Sequence, residues 1–154
     1  MRALLPPVLF LLLAVVSVPI GALVPLAGPT VWPIRLLGFA GLIGGLALTT
    51  TGVGLFNRVR TNIVTFNDPE RFVTSGPFRY TRNPMYLGFL IALTGLALAV
   101  GVASAFIGPL AFWAAANFWY IPFEEGRLTE TFGAEYTDYQ RRVGRWIAPV
   151  GRLR

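Results

Sequence analysis

The sequence predicts an all-α integral membrane protein. About four transmembrane helices are expected, the last two forming a C-terminal hairpin, with a cytoplasmic amphipathic helical tail behind them. Three observations carry this. Of 154 residues, 55% are hydrophobic and only 13% charged, the proportions of a chain that lives in lipid. From Asn83 to Phe123 there is no charged side chain; at about 1.5 Å per residue that run is roughly twice the thickness of a bilayer, so it should cross and return. Finally, all 13 basic residues are Arg, lying in segments that flank apolar runs. Orientation and lipid headgroups therefore explain the net charge of +6 better than nucleic acid does. One bundle over residues 1–154 is expected, with no second domain.

The first span is expected over about 4–26, with Pro6, Pro7, Pro19 and Pro25 near its ends. Arg2 ahead of an apolar core also has the look of a signal peptide, but no clean small-x-small site follows and the apolar run continues to Pro25. The second span runs over about 34–56, where Gly38, Gly41, Gly44 and Gly45 form a small-residue face suited to close helix packing in lipid. Asn57 to Met85 is polar, and Asn67-Asp68-Pro69 and Ser75-Gly76-Pro77 are turn signals, so a loop with at most a short helix is expected. The third span covers about 86–100, a break falls at Gly101 to Ser104, and the fourth covers about 105–123. Pro109 lies in the first turn or so of that helix, where proline is tolerated.

The tail, 124–154, carries six arginines and five acids. Leu128, Phe132, Tyr136, Tyr139, Val143 and Trp146 are spaced four, four, three, four and three, an apolar stripe on a helix interrupted at Gly133. The stripe should lie on the bundle or the membrane surface, with Trp146 as an interfacial anchor. Four spans place Arg2, the Arg-rich loop and the tail on one side; the positive-inside rule makes that side cytoplasmic. The opposite side receives Ala27 to Pro33 and the Gly101 break.

Absences narrow the chemistry. Without Cys there is no thiolate or disulfide; without His there is no imidazole base and no ordinary transition-metal site; without Lys there is no Schiff base. No metal is expected, and an enzyme with this inventory leans on an activated cosubstrate. The hairpin returns Glu124 and Glu125 to the membrane face that holds Arg82, Asn83 and Pro84, joining two polar clusters far apart in sequence. Acids beside hydrocarbon are costly unless paired, so this pair serves either function or structural pairing with Arg79 or Arg82. Asn83-Pro84 equally reads as a turn starting a helix with proline at its first position. Tyr80, Tyr86, Tyr136 and Tyr139 read first as interfacial aromatics, and Arg141, Arg142, Arg145, Arg152 and Arg154 as lipid-facing charges.

The run Gly76-Pro-Phe-Arg-Tyr-Thr-Arg-Asn-Pro-Met-Tyr-Leu-Gly88 resembles the signature of the integral membrane methyltransferases, a group that includes isoprenylcysteine carboxyl methyltransferases and phospholipid N-methyltransferases. Glu124-Glu125-x-x-Leu128-x-x-x-Phe132-Gly133-x-x-Tyr136-x-x-Tyr139-x-x-x-Val143 resembles the C-terminal motif of the same group. Together they cover about Val73 to Trp146. Carboxyl methyltransferases of this group have Arg-His-Pro-x-Tyr where this chain has Arg82-Asn83-Pro84-Met85-Tyr86, the form similar to the phospholipid enzymes; the tail motif is more like the carboxyl enzymes.

This resemblance implies S-adenosylmethionine bound between hairpin and tail, by residues drawn from Arg82, Asn83, Pro84, Tyr86, Leu87, Glu124, Glu125, Tyr136, Tyr139 and Arg145, with Arg82, Glu124 and Glu125 closest to catalysis. Under it, Glu124 or Glu125 would accept hydrogen bonds from ribose or ammonium, and Arg82 or Arg145 would clamp the methionine carboxylate. Asn83 would meet adenine edges, and Tyr86 and Tyr136 would lie near the sulfonium. The acceptor is expected to be lipophilic and membrane-embedded, a phospholipid headgroup amine or an isoprenoid carboxylate, with membrane lipids as further partners. Two other classes compete. A sterol-reductase-type NADPH enzyme shares a similar C-terminal region, although such enzymes are longer with additional spans. A small transporter or assembly protein would use the polar clusters for topology alone, and a transporter should carry ionisable groups at mid-membrane depth. Binding of S-adenosylmethionine, NADPH or neither separates the three.

Overall fold

The computed structural model describes residues 5–26, 28, 31–59 and 73–147. Arg2, the turn Asn67-Asp68-Pro69 and the charges Arg60, Asp68, Glu70, Arg71, Arg152 and Arg154 lie outside the described residues. Among those described, every regular element is a helix. Helix α1 is Pro6–Leu23 and α2 is Trp32–Val59. A 3₁₀ turn, Gly76–Arg79, leads into α3, Pro84–Val100. A second 3₁₀ turn, Ala103–Phe106, precedes α4, Ile107–Ala115; a π-helical turn, Ala116–Tyr120, joins α4 to α5, Ile121–Arg142.

The proline positions explain the helix starts. Pro6 opens α1 and Pro84 opens α3, where a missing N–H leaves no hydrogen bond unmade. Helix α3 ends at Gly101, whose φ of 81° gives it a left-handed cap; this and the 3₁₀ turn form the expected break. The segments Pro6–Leu23 and Trp32–Leu55 are long and apolar enough to cross a bilayer, and only 22% of each is buried in the bundle. A core helix of a water-soluble protein would be mostly buried. Here Leu11, Val15, Leu37 and Ile43 point outward at 59–70% exposure, the inside-out pattern of a membrane protein. Helix α3 is apolar but, at 17 residues, shorter.

The glycine face of α2 packs on α3. A Cβ on Gly38 would strike the main chain at Gly95 and Ala99, and one on Gly45 that at Gly88 and Ala92. The two backbones therefore touch, which only small residues allow. Gly41 also faces Gly95, whereas Gly44 faces open space and takes no part. These pairings run antiparallel: the start of α2 lies beside the end of α3, and Thr49 near the other end donates to the Met85 carbonyl at 3.2 Å. Arg35, close to the start of α2, therefore sits at the end of the bundle opposite Asn83. Arginine is thus concentrated at the Asn83 end and not confined to it.

Helix α1 packs against α3 and α4, with Phe10 stacked on Phe89 at 4.6 Å between ring centroids. Phe10, Tyr86, Leu93, Phe112, Tyr120 and Ile121 form the buried centre. The last helices make one rod that outlasts the bundle, and then it turns. Gly133 has φ 53° and ψ −121°, a conformation open to glycine and strained for other residues. Leu128 and Phe132 ahead of it pack on Tyr136, Tyr139 and Val143 beyond it. The expected stripe is thus a helix folded on itself at Gly133. Trp146 is carried back to the bundle and packs, half-buried, against the central core.

Candidate active site

The doubling back of α5 brings three stretches of chain to one end of the bundle: Thr81 to Tyr86, Asn117 to Glu125, and Val143 to Trp146. The main-chain N–H of Arg82 donates to the Gly144 carbonyl at 3.0 Å. The Asn83 side chain, at the start of α3, leaves its own helix uncapped and donates Nδ2 to the Arg145 carbonyl at 2.9 Å. Thr81 donates to the same carbonyl at 3.2 Å and accepts the Asn83 N–H at 3.1 Å. The two sequence motifs are therefore stitched together through backbone as well as side chains.

At the centre lies Glu125. Its Oε1 accepts Arg82 Nη2 at 2.7 Å, and its Oε2 accepts Arg145 Nη2 at 2.6 Å. Arg82 and Glu125 are each only 11% exposed at the side chain. Of the pairings open to Glu125, the structure has the one with Arg82 and adds Arg145, which sequence alone reads as lipid-facing. Arg82 Nη1 also donates to the carbonyls of Gln140 and Val143, at 2.9 and 3.1 Å. Its Nε is buried with no acceptor, as is Arg35 Nε at the far end of the bundle, orphaned donors of a kind that is uncommon in native structures. Two guanidiniums face the single carboxylate of Glu125, and with Glu124 alongside the four formal charges balance.

Glu124 faces another way, as the 100° step between helical neighbours requires. Its Oε1 accepts the Tyr86 hydroxyl at 2.8 Å. The Tyr86 ring stacks on Tyr120, with centroids 6.2 Å apart, above Phe112. Tyr136 is buried beside the cluster; burial, then the charge of Glu125, pushes its hydroxyl up to about 12 despite the opposing pull of Arg82. Burial raises Tyr139 as well, and its hydroxyl donates to the Phe78 carbonyl at 2.7 Å, which ties the tail to the 3₁₀ turn. Pro84 is fully buried at the helix start; Leu87, one step beyond Tyr86, is half-buried.

Of the residues singled out from sequence, Arg82, Asn83, Tyr86, Glu124, Glu125, Tyr136 and Arg145 come together. Tyr139 and Pro84 sit in the supporting shell. Sequence reasoning missed Asn117, which accepts from Arg145 and Trp146, Thr81, which lies within the first motif and was given no role, and Gln140, whose carbonyl accepts from Arg82 and whose side chain meets Tyr136. Among the described residues no group of three or more acids could hold a metal ion.

The cluster suits a ligand with an anionic group. Arg82 Nε lacks an acceptor, and a carboxylate is the kind of group a guanidinium donor takes.

Comparison with known proteins places this geometry in a class. The phospholipid methyltransferase family matches residues 34–135, about two-thirds of the chain, and the chain belongs to that family of membrane methyltransferases. Among individual proteins it is similar to a probable protein-S-isoprenylcysteine O-methyltransferase of Oryza sativa subsp. indica, 30% identical over 120 residues, which are 73% of this chain and 60% of that one. It is 31% identical over 117 residues to protein-S-isoprenylcysteine O-methyltransferase B of Arabidopsis thaliana, covering 73% and 58%. Methanethiol S-methyltransferase 1 of Bradyrhizobium diazoefficiens is 37% identical over 82 residues, covering 51% and 27%. The chain thus spans about 60% of the length of the isoprenylcysteine relatives it matches. No solved structure matches it.

Proposed function

We propose that this protein transfers a methyl group from S-adenosylmethionine to a lipophilic acceptor held in the membrane. The observation that carries the reading is the Arg82–Glu125–Arg145 cluster, which joins both family motifs and keeps a buried donor without an acceptor. S-adenosylmethionine, when bound, supplies an electrophilic methyl on a good leaving group. What remains for the protein is alignment. Arg82 Nε and Arg145 would hold the cofactor's carboxylate. Glu124, with its hydroxyl partner Tyr86, would face its cationic or ribose groups; Asn83, Tyr136 and Leu87 would complete the wall.

The bundle is proposed to cross four times, with the cluster and tail at the cytoplasmic surface. Arginine concentrated at that end supports this orientation. The acceptor would then approach laterally from the bilayer, its reactive headgroup meeting the cluster at the interface. A carboxylate acceptor needs no base; an ammonium headgroup must lose a proton, for which Glu124 is the available carboxylate. A second reading is a small thiol acceptor, favoured by the similarity to methanethiol S-methyltransferase 1.

The test is methyl transfer from labelled S-adenosylmethionine by the full chain in nanodiscs, offered phospholipid amines, prenylated carboxylates and soluble thiols separately. Labelled lipid is expected. Product from the soluble thiol alone would replace lateral access with the second reading, and absence of cofactor binding would overturn both.

A further inference from the structure

Asn117 belongs to no motif, yet two anchors of the site end on it. The reason starts in the backbone. In the π turn Ala116–Tyr120 the N–H of Ile121 bonds the Ala116 carbonyl, passing over that of Asn117. In that widened register the next donor for the Asn117 carbonyl would be residue 122, which is Pro122 and has no N–H. Neither helical register therefore supplies the Asn117 carbonyl, which is half-buried, and a carbonyl withdrawn from water needs a partner. Arg145 Nη1 is that partner, at 3.4 Å. Beside it the side-chain Oδ1 of Asn117 accepts the Trp146 indole N–H at 3.1 Å. Indole only donates, which fixes the orientation of the amide.

Arg145 is the residue on which the site closes. Its Nη2 holds Glu125, and its carbonyl accepts from Asn83 and Thr81. Trp146, next to it, is packed into the central core. Building on the methyltransferase reading, we infer that Asn117 is a positioning residue for methyl transfer. The carbonyl released by the π turn and Pro122, with the side-chain amide beside it, docks Arg145 and Trp146 and so holds Glu125 and Asn83 in register for the cofactor.

Three variants of the full chain test this: Asn117→Leu, which removes the side-chain acceptor, Asn117→Asp, which keeps it, and Trp146→Phe, which keeps the ring and loses the N–H. The readouts are thermal melting, hydrogen exchange of the Trp146 indole N–H (one of four indoles, assigned by its loss in Trp146→Phe), and S-adenosylmethionine affinity by calorimetry. Asn117→Leu should melt near the unsubstituted chain, expose the indole, and bind S-adenosylmethionine about tenfold or more weaker, a loss of roughly 1.4 kcal/mol or more. Asn117→Asp should restore both protection and affinity, and Trp146→Phe should lose affinity in the same direction. An exposed indole with undiminished affinity overturns the inference and leaves the proposed function standing. Should Asn117→Leu fail to fold, undiminished binding by Trp146→Phe overturns it equally. Failure of the unsubstituted chain to bind S-adenosylmethionine overturns the reading and the inference together.

Discussion

Glu124 and Glu125 are neighbours in the chain with separate duties, and substitution should separate them. Glu125→Gln leaves two guanidiniums, one of them buried, facing a neutral amide; breaking a buried pair costs about 3–5 kcal/mol, so a marked drop in melting temperature is expected. Glu124→Gln keeps an acceptor for the Tyr86 hydroxyl and should melt closer to the unsubstituted chain than Glu125→Gln does, while S-adenosylmethionine binding by calorimetry weakens about tenfold or more, the loss of one charge-assisted bond of roughly 1.5–3 kcal/mol. Equal melting of the two variants would refute this division. Tyr136 gives the pH dependence. Its hydroxyl is raised from an ordinary value near 10 to about 12, so the folded protein keeps a proton that the unfolded chain releases between those values. Stability is therefore whole below pH 10 and is lost as pH rises from 10 towards 12, by an amount of the order of 2–3 kcal/mol. Spectroscopic titration of tyrosinate should show this residue ionising late, and Tyr136→Phe should remove its share of the alkaline loss.

At the level of elements, the turn at Gly133 is the most exposed to test. A Cβ there meets no neighbouring atom, so Gly133→Ala isolates the conformational cost of a positive φ, about 1–3 kcal/mol. The expected result is loosened docking of the returning limb, read as faster exchange at Arg82 N–H and the Trp146 indole, with α1 to α4 unchanged. The helices and the meeting of Arg82 with Glu125 were legible in sequence, because apolar runs bounded by Arg, Pro and Gly report helices and a helical hairpin has to bring its ends together. The interruption at Gly133 was legible too, since glycine breaks an otherwise periodic stripe. The direction of the chain after it was not: a kink signal carries no angle, and so the residues alone read Arg145 as a lipid-facing charge, and only the family resemblance set it among the cofactor-binding candidates. Nor was the π turn readable, for it depends on which carbonyl an amide chooses, and Asn117 acquires its role only from that choice. Gly44 shows the opposite error, since four nearby glycines look alike in sequence while packing uses only the three that face α3.

For the whole molecule, orientation is the prediction at stake. Reporter fusions after Pro29, Asp68, Gly101 and Arg154 should read out, in, out and in. A periplasmic signal at Asp68 would reverse the bundle and take the cluster away from soluble cofactor. Arg35 at the far end makes this a real test, because one arginine there opposes the bias. The doubling back of α5 also imposes an order on biosynthesis. Arg82 is made first, Glu125 follows, and Arg145 comes 20 residues later still. Until Arg145 has been made, Glu125 lacks its second guanidinium, and until residue 143 has been made Arg82 lacks the carbonyls of Gln140 and Val143 that later receive it. The cluster therefore cannot close until the returning limb has been made, and a chain stopped before Arg145 holds the motifs without the site.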